Sequence, residues 1–428
     1  MFIMVKTDWL LEVTEGRKER ILEGSSYELA YSAMDCRRHS ASIKDFGGVV
    51  DGKTLNTKAF QKAVTQLRKY ASDGGAQLVI PAGHWLTGSF NLTSHFTLFL
   101  HKDAVLFASQ QINQWPAIDP LPSYGHRRDA PGGRYISLIF GTNLTDVIIT
   151  SNYNNKLKYT RPYLIELMHS NNIQISNLTL VNSPSWNIHP VYSSNIIIQD
   201  VTILAPVTSP NTDGTNADLI FFFSKGSCTN IRLEDNYIVS GDDCVPTNHL
   251  IIRRLTCISP YSAAIALGSE MSGGIQDVRI QDTIAIRTES RIRIKTAVGR
   301  GGFVKDVYAT MAHMLTLTGI LKPYQIKRIN YQDVVAENVS MAGQLEGISG
   351  DSFTGICMSN VTIGLAKKSK KNPWACTNIE GISSSVQPPP CKLLADQGPK
   401  KSRMCHFPTE SLPIDNMEMQ RCSYRLNY

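Results

Sequence analysis

The segments Ile173-Gln-Ile-Ser-Asn-Leu-Thr-Leu180 and Ile196-Ile-Ile-Gln-Asp-Val-Thr-Ile203 share one pattern, in which apolar and polar residues alternate, meet Asn or Asp, and alternate again. The pattern returns in Ile231-Arg-Leu-Glu-Asp-Asn-Tyr-Ile238, Val278-Arg-Ile-Gln-Asp-Thr-Ile-Ala285, Ile329-Asn-Tyr-Gln-Asp-Val-Val335 and Ile356-Cys-Met-Ser-Asn-Val-Thr-Ile363. The interval from Asn177 to Asn360 divides into about eight coils of about 23 residues. Short alternating strands at a fixed period, without helices between them, favour a solenoid.

This period predicts an all-β fold, a parallel β-helix in which inward Ile, Val and Leu form one continuous core. A helix is predicted at 56–72, where Asn56-Thr57 offers a cap and Gly74-Gly75 a stop, and it would cap one end of the solenoid. Gln77 to Ile80 is predicted to be a strand that ends at Pro81. An immunoglobulin-like array of short strands stays open, although it needs antiparallel hairpins and repeated Asn-Gly turns are missing.

Composition excludes several classes of protein. The 428 residues are 42% hydrophobic and 18% charged, unlike a disordered or collagen-like chain. No apolar run reaches the roughly 18 residues of a membrane span. The net charge of +7 fits an acidic partner better than a dedicated nucleic-acid binder. We expect an unassigned extension at 1–40, the β-helix domain at 41–395 and a Cys-containing tail at 396–428.

Nine cysteines and five Asn-x-Ser/Thr triplets, at Asn91, Asn143, Asn177, Asn338 and Asn360, favour an oxidising, secretory compartment. Against this, the first 20 residues lack the apolar stretch of a signal peptide. Candidate disulfide partners are Cys228 with Cys244 and Cys376 with Cys391, while Cys257, on a strand, is expected to be a buried free thiol.

Two acidic motifs do not follow the alternating pattern that the strands of the solenoid require. Asn211-Thr-Asp-Gly214 and Gly241-Asp-Asp-Cys244 lie about one coil apart, and stacked strands are about 4.8 Å apart. Asp213 is therefore expected near Asp242 and Asp243, as in the paired carboxylates of glycoside hydrolysis. Either motif alone is also explained by a tight turn, because Asn, Asp and Gly favour such corners.

Arg291-Ile-Arg-Ile-Lys-Thr296 places three cations at alternate positions of a predicted strand. Alternation predicts that Ile292 and Ile294 point inward and that Arg291, Arg293 and Lys295 point outward together. Like charges on one face repel unless an anion binds there, so the strand is either a solvated face or a binding site for an acidic sugar.

These residues resemble the polygalacturonases, glycoside hydrolase family 28, most closely their plant branch. The resemblance covers roughly residues 40–395 and depends on Asp45-Phe-Gly-Gly-Val-Val-Asp51 with Asn56-Thr57, Asn211-Thr-Asp-Gly214, Gly241-Asp-Asp243, Gly268-Ser269 and Arg293-Ile-Lys295. It implies a right-handed parallel β-helix that hydrolyses α-1,4-linked galacturonic acid in pectin, with inversion and without a metal or other cofactor. It also implies an extracellular or cell-wall location, and we expect a monomer that binds no nucleic acid.

Carried over by motif, Asp242 would be the general acid, Asp213 and Asp243 would position and deprotonate the water, and Arg293, Lys295 and Asn211 would bind substrate. Packed like charges are expected to raise one carboxyl pKa, so that an acid stays protonated beside ionised neighbours.

The chain departs from the family at several points. Ser262-Ala263-Ala264 stands where the family has Gly-His-Gly, so Ala263 replaces its histidine. The coil after Asp243 is shortened, and a missing half-coil is expected to break the register of stacked strands. Another coil is shortened between Val307 and Gln325. Two alternatives therefore stay open: a β-helix that binds pectin without cutting it, and a calcium-dependent pectate lyase.

Overall fold

A computed structural model describes residues 37–119, 134–151, 162–215, 228–246, 250–268, 274–295, 302–310, 315–318, 324–367, 369, 372–398 and 405–419. Within these ranges the chain is built from short strands and one α-helix. The first strands are β1 (His39–Ser42), β2 (Asp51–Leu55), β3 (Ala76–Ile80), β4 (Gly83–Thr87), β5 (Phe90–Asn91), β6 (Phe96–Leu100), β7 (Ala104–Ala108), β8 (Ala117–Ile118), β9 (Arg134–Tyr135), β10 (Ile139–Thr142) and β11 (Thr145–Ser151).

The middle of the chain continues in the same way. Its strands are β12 (Ile165–Met168), β13 (Asn171–Ser176), β14 (Thr179–Val181), β15 (Ile188–Val191), β16 (Ser194–Gln199), β17 (Thr202–Leu204), β18 (Thr229–Glu234), β19 (Tyr237–Val239), β20 (Val245–Pro246), β21 (Leu250–Arg253), β22 (Thr256–Ile258), β23 (Ala263–Gly268), β24 (Gly274–Gln281), β25 (Ile284–Ile286) and β26 (Ser290–Lys295).

The last strands are longer. They are β27 (Gly302–Thr310), β28 (Leu315–Thr318), β29 (Tyr324–Val339), β30 (Gly343–Glu346), β31 (Phe353–Leu365), β32 (Trp374–Thr377), β33 (Ile379–Gln387) and β34 (Leu394–Asp396). Short 3₁₀ helices lie at Ile43–Phe46, Arg68–Tyr70, Ile112–Gln114 and Pro413–Asn416.

These strands stack into a right-handed parallel β-helix. The repeat predicts the parallel β-helix, and the family resemblance implies its hand. One fourteen-stranded sheet, the long sheet, runs in the order β1-β3-β6-β11-β13-β16-β18-β21-β24-β27-β29-β31-β33-β34. The other walls are β2-β4-β7, β15-β12-β10-β5, β14-β17-β19-β22-β25 and β20-β23-β26-β28-β30-β32, the last of which we call the site sheet. Among the described strands only β8 and β9 pair antiparallel, which excludes the immunoglobulin-like alternative.

The helix α1 (Thr57–Leu67) begins where the sequence predicts and ends earlier, because the chain tightens into the 3₁₀ turn Arg68–Tyr70. Its buried side chains, Phe60 among them, join the core. Asn56 makes no side-chain cap; its amide instead bonds backbone groups of Val49, Thr54 and Leu86. The role of α1 as an end cap of the solenoid stays a prediction.

The Asn and Asp of the repeat are the corners between two strands of a coil. Asn177, Asp200, Asp235 and Asp282 have φ angles of 52°, 53°, 56° and 50°, in the left-handed region that Asn and Asp tolerate better than other side chains. Asn side chains also bond from coil to coil, as Asn230 Nδ2 does to Asn195 Oδ1 at 3.1 Å. The polar residue that marks each repeat thus turns the chain.

The coils around the shortened segment keep their register, contrary to the sequence-based expectation. Successive coils are separated here by 23, 35 and 19 residues, yet β16, β18 and β21 pair without a shift. Arg254 takes the left-handed corner, at φ 51°, that Asp235 takes in the coil before. In this 19-residue coil β20 has only two residues, and the corners at Asp235 and Arg254 are both present.

The cysteine predictions are correct for one pair and wrong for the other. Cys376 bonds Cys391 as predicted, whereas Cys244 bonds Cys257, so neither the Cys228–Cys244 pair nor a free Cys257 exists. Cys244 and Cys257 both point into the lumen of the solenoid, with Cα atoms 6.3 Å apart. The Cys228 thiol instead donates to Pro190 O at 3.3 Å. A further disulfide joins Cys357 to Cys405.

Residues 405–419, which we call the strap, run back over the outer face of the long sheet. Cys405 fixes the strap to β31, and Ile414 packs against Ile197 of β16 and Ile251 of β21. The buried Arg232 Nη1 donates to Ile414 O at 2.6 Å. The strap therefore covers a sheet far from it in sequence. No helix among the described residues is long and apolar enough to span a membrane.

Candidate active site

Three carboxylates meet at the turns that lead into the site sheet. Asp213 precedes Thr215, which bridges to Ile188, while Asp242 and Asp243 precede β20. Gly214 N donates to Asp243 O at 3.1 Å, so the two turns stack as neighbouring coils. One ligand atom from each of the three side chains lies within 4.8 Å of the others. The structure thus brings Asp213, Asp242 and Asp243 together, as the motif spacing predicts.

The two neighbouring carboxylates have different surroundings. Asp243 is buried, and its Oδ1 lies 2.6 Å from Ser262 Oγ and accepts from Ala263 N at 3.0 Å. Asp242 is half-buried; its Oδ1 lies 3.1 Å from Ser262 Oγ and accepts from Asp243 N at 2.9 Å. Asn211 N donates to Asp242 Oδ2 at 3.3 Å, so Asn211 also belongs to the cluster.

The motif glycines allow this close approach of the turns. A Cβ on Gly241 would lie 2.0 Å from Ser209 O, and one on Gly214 would lie 2.4 Å from Cys244 O. Thr212 fastens the turns together, since its Oγ1 accepts from Gly241 N at 3.0 Å and its carbonyl accepts from Ser240 Oγ at 2.8 Å. The two acidic motifs therefore form tight turns and also bring the carboxylates together, so the two explanations given for them are both correct.

The predicted row of cations is only partly formed. Arg293 lies on β26 and is half-buried, and its Nη2 donates to Glu289 Oε2 at 2.6 Å. The prediction for Arg291 is wrong: only 1% of it is exposed, and its Nε donates to Thr283 Oγ1 at 3.3 Å. Burial lowers the pKa of Arg291 to about 9. The Lys295 side chain lies outside the described part of the chain.

A second ionic cluster lies on the two coils before Asp213 and escaped the sequence analysis. Glu166 of β12 is fully buried, with His189 Nδ1 at 2.8 Å from its Oε1 and Arg134 Nη1 at 2.9 Å from its Oε2. Burial alone would raise the pKa of Glu166, but the hydrogen bonds and positive charges of His189 and Arg134 outweigh it and hold that pKa below its usual value.

This cluster is joined to the site through aromatic rings and the backbone. Trp186 stacks on Tyr163 with 4.8 Å between ring centroids, and the next residue, Asn187, donates its N–H to Asp213 O at 3.0 Å. The sequence did contain a signal for this cluster, namely an acid inside the apolar run Leu164-Ile-Glu-Leu-Met168. A charge on a buried strand needs a partner of opposite charge.

Chemically, the cluster of Asp213, Asp242 and Asp243 suits proton transfer. A half-buried carboxyl beside a buried carboxylate is the arrangement of a general acid with a base that activates water. The same oxygens are a candidate ligand set for a hard cation, although three ligands fall short of the about six to eight that calcium takes.

Comparison with known proteins gives one family. A family model described as "Glycosyl hydrolases family 28" matches residues 147–387. The "Probable polygalacturonase" of Vitis vinifera is 61% identical over 475 aligned residues, which cover 100% of this chain and 94% of the relative. The aligned length exceeds the 428 residues of the chain, so the relative has internal residues without counterparts here.

A more distant relative shares the family's sequence pattern, and two solved structures share the fold. An "Exopolygalacturonase" of Zea mays is 24% identical over 80% of this chain and 88% of its own length. The exopolygalacturonase of Thermotoga maritima superposes with a TM-score of 0.66 at 21% identity, covering 78% of this chain and 89% of that one. The polygalacturonase of Erwinia carotovora superposes with a TM-score of 0.53 at 19% identity, covering 85% and 99%.

Proposed function

The chain belongs to the glycosyl hydrolases of family 28, and on that premise we propose that the Asp213, Asp242 and Asp243 cluster hydrolyses α-1,4 bonds between galacturonic acid residues of pectin. The observation that carries this proposal is the approach of the three carboxylates to within 4.8 Å on adjacent turns. The substrate is an acidic polysaccharide, and the 41–395 β-helix is the domain that acts on it.

Asp242 donates a proton to the leaving glycosidic oxygen, because it is the more exposed of the two neighbouring carboxyl groups. Asp243 and Asp213 hold the water and accept its proton. Inverting glycosidases usually keep acid and base about 6.5–9.5 Å apart so that water fits between them. The closest oxygens here are nearer than that. We place the water beside the cluster, in contact with Asp213 and Asp243, so that its attack on the face opposite the leaving group inverts the sugar.

Arg293 and Lys295 bind the carboxylate of the sugar, and Asn211 completes the substrate contacts. Glu289 holds Arg293 at 2.6 Å in the free protein, so the sugar carboxylate competes with Glu289 for this guanidinium. A bidentate contact between a guanidinium and a carboxylate is the geometry that such recognition uses. Secretion into the cell wall fits the three disulfides of the described residues and the exposure of all five candidate glycosylation asparagines.

The first test is hydrolysis of polygalacturonic acid by the purified chain, read as new reducing ends. Asp242→Asn is expected to lower kcat by about 10²- to 10⁴-fold, the usual contribution of general acid catalysis. Asp200→Asn is the matched control, because it makes the same substitution at a corner of the long sheet where Asn also tolerates the left-handed backbone. Equal activity of Asp242→Asn and the unsubstituted chain would refute the assignment.

The same assay separates the two alternatives. Binding of pectin without new reducing ends would indicate the non-cutting β-helix, which Ala263 in place of the family histidine favours. Loss of activity with a chelator, together with unsaturated products that absorb in the ultraviolet, would indicate a calcium-dependent lyase. Proton NMR of the first product reports its anomeric configuration and so tests inversion directly.

A further inference from the structure

We propose that Ser262 is the positioning residue that decides which carboxyl group of the cluster holds the catalytic proton. The proposal rests on the hydrolase function above and deepens it. Ser262 lies in the turn before β23 and is 5% exposed, and its hydroxyl is the polar group shared by Asp242 and Asp243.

The distances from Ser262 Oγ differ in a way that fixes the direction of one hydrogen bond. The 2.6 Å contact with Asp243 Oδ1 has the length of a hydroxyl donating to an ionised carboxylate. Asp243 Oδ1 also accepts from Ala263 N at 3.0 Å. Asp243 is thus an acceptor of two hydrogen bonds in the buried part of the site, and an ionised carboxylate satisfies both.

The second contact of Ser262 Oγ then needs a donor. A serine hydroxyl has one hydrogen and two lone pairs, so it cannot donate to both carboxylates at once. With Asp242 ionised, its Oδ1 would face an oxygen lone pair of Ser262 at 3.1 Å. With Asp242 protonated, the carboxylic O–H donates to that lone pair. Ser262 therefore favours the proton on Asp242 and the charge on Asp243.

The same bridge returns the proton after each turnover. Asp242 gives its proton to the glycosidic oxygen, and Asp243 receives one from the attacking water. Asp243 then donates that proton to Ser262 Oγ while the hydroxyl hydrogen moves to Asp242 Oδ1. One O–H bond breaks at Asp243, one forms at Asp242, and Ser262 ends unchanged. The acid is thus restored without exchange with bulk water.

The kinetic test compares Ser262→Ala with Ser262→Thr and with Ser176→Ala, a buried serine of β13 on the long sheet. Ser262→Ala is expected to lower kcat about 10- to 100-fold while KM stays within about twofold, because the loss concerns proton transfer and not binding. The dependence of activity on pH should also differ between Ser262→Ala and the parent. Ser262→Thr keeps the hydroxyl and should restore both properties.

A spectroscopic measurement tests the proposal without any need for activity. Infrared difference spectra of protein labelled at Asp, recorded under the assay conditions, should show a protonated carboxyl that disappears in Asp242→Asn. In Ser262→Ala this signal should be weaker under the same conditions. Absence of the signal in the unsubstituted protein would overturn the proposal. Identical pH profiles for Ser262→Ala and the parent would also overturn it, and so would equal kcat values for Ser262→Thr and Ser262→Ala. A silent reducing-sugar assay with the signal present would refute the hydrolase function alone.

Discussion

Glu166 is a fully buried carboxylate that His189 and Arg134 keep ionised, and its low pKa has a direct consequence for stability. Because the folded state binds this proton more weakly than the unfolded chain, the contribution of Glu166 is complete above the ordinary pKa of 4.5. That contribution is lost as the pH falls through the lower pKa of the folded state. Acid should therefore weaken the fold through this residue.

We expect Glu166→Gln to lower the free energy of unfolding by about 3–5 kcal/mol at neutral pH, because it leaves the buried His189 and the partly buried Arg134 without their carboxylate. The dependence of stability on pH below about 4.5 should become shallower. Urea unfolding at a series of pH values measures both effects. Unchanged stability at neutral pH would show that the cluster does not hold the fold.

Asp200→Asn serves as the control of opposite sign. Burial, and then repulsion from Asp235, raise the pKa of Asp200, so its charge opposes folding as the pH rises through the window above its ordinary value. Removal of that charge should not destabilise the protein. A loss of stability comparable to that of Glu166→Gln would mean that the pKa direction of one of the two groups is wrong.

At the scale of elements, the Cys244–Cys257 disulfide staples the shortened coil from inside. It joins the residue before β20 to β22 across the lumen, next to Asp243. Cross-linking restricts the unfolded chain, and a loop of this size is worth about 3 kcal/mol. The disulfide therefore lies in the shortest coil of this region, which has 19 residues, and it fixes the turn that carries Asp242 and Asp243.

The double variant Cys244→Ala/Cys257→Ala should lose about 3 kcal/mol of stability and also lose kcat, because the turn with Asp242 and Asp243 loosens. The matched control is Cys376→Ala/Cys391→Ala. The Cys376–Cys391 disulfide closes a loop of similar length, with a sequence separation of 15 against 13, so its loss should cost similar stability while kcat is retained. Denaturant unfolding beside the reducing-sugar assay measures both. Equal kcat losses in the two variants would contradict a local role for the first disulfide.

The elements also show what the sequence could predict. Alternation and the Asn/Asp corners follow from local backbone preferences, so the β-helix and the meeting of Asp213, Asp242 and Asp243 were predictable. The Cys244–Cys257 bond was not, because it depends on which side chains share the lumen. Arg291 was misplaced because alternation along its own strand does not report the neighbouring residues, Thr283 among them, that bury it. The contact of Glu166 with His189 required knowledge of strand register.

At the scale of the whole molecule, the strap connects parts of the solenoid that the coils alone connect only through their neighbours. Ile414 is 1% exposed between Ile197 and Ile251, and Arg232 and Arg253 contact Ile414 and Asp415. Repeat proteins otherwise depend on contacts between adjacent repeats. The strap thus adds a long-range term to the stability of the middle coils.

We expect Ile414→Ala to cost about 2–5 kcal/mol, the usual range for truncation of a buried isoleucine. Amide hydrogen exchange should accelerate in β16, β18 and β21, which lie under the strap, and stay unchanged in β3 and β6. Ile286→Ala on β25 is the matched control, because Ile286 is 42% exposed. Uniform acceleration along the whole long sheet would refute a local covering role.

The position of the strap in the chain also sets an order of events during synthesis. A ribosome releases β16, β18 and β21 well before residues 405–419 exist. In every nascent chain that has completed β21 but not the strap, Ile197 and Ile251 are therefore not covered by Ile414, and Arg232 lacks the Ile414 carbonyl as a partner. Coils can wind one after another as they emerge, but the middle of this solenoid reaches its final cover only when translation has passed Ile414. The synthesis of the strap thus determines when the middle coils can complete their packing.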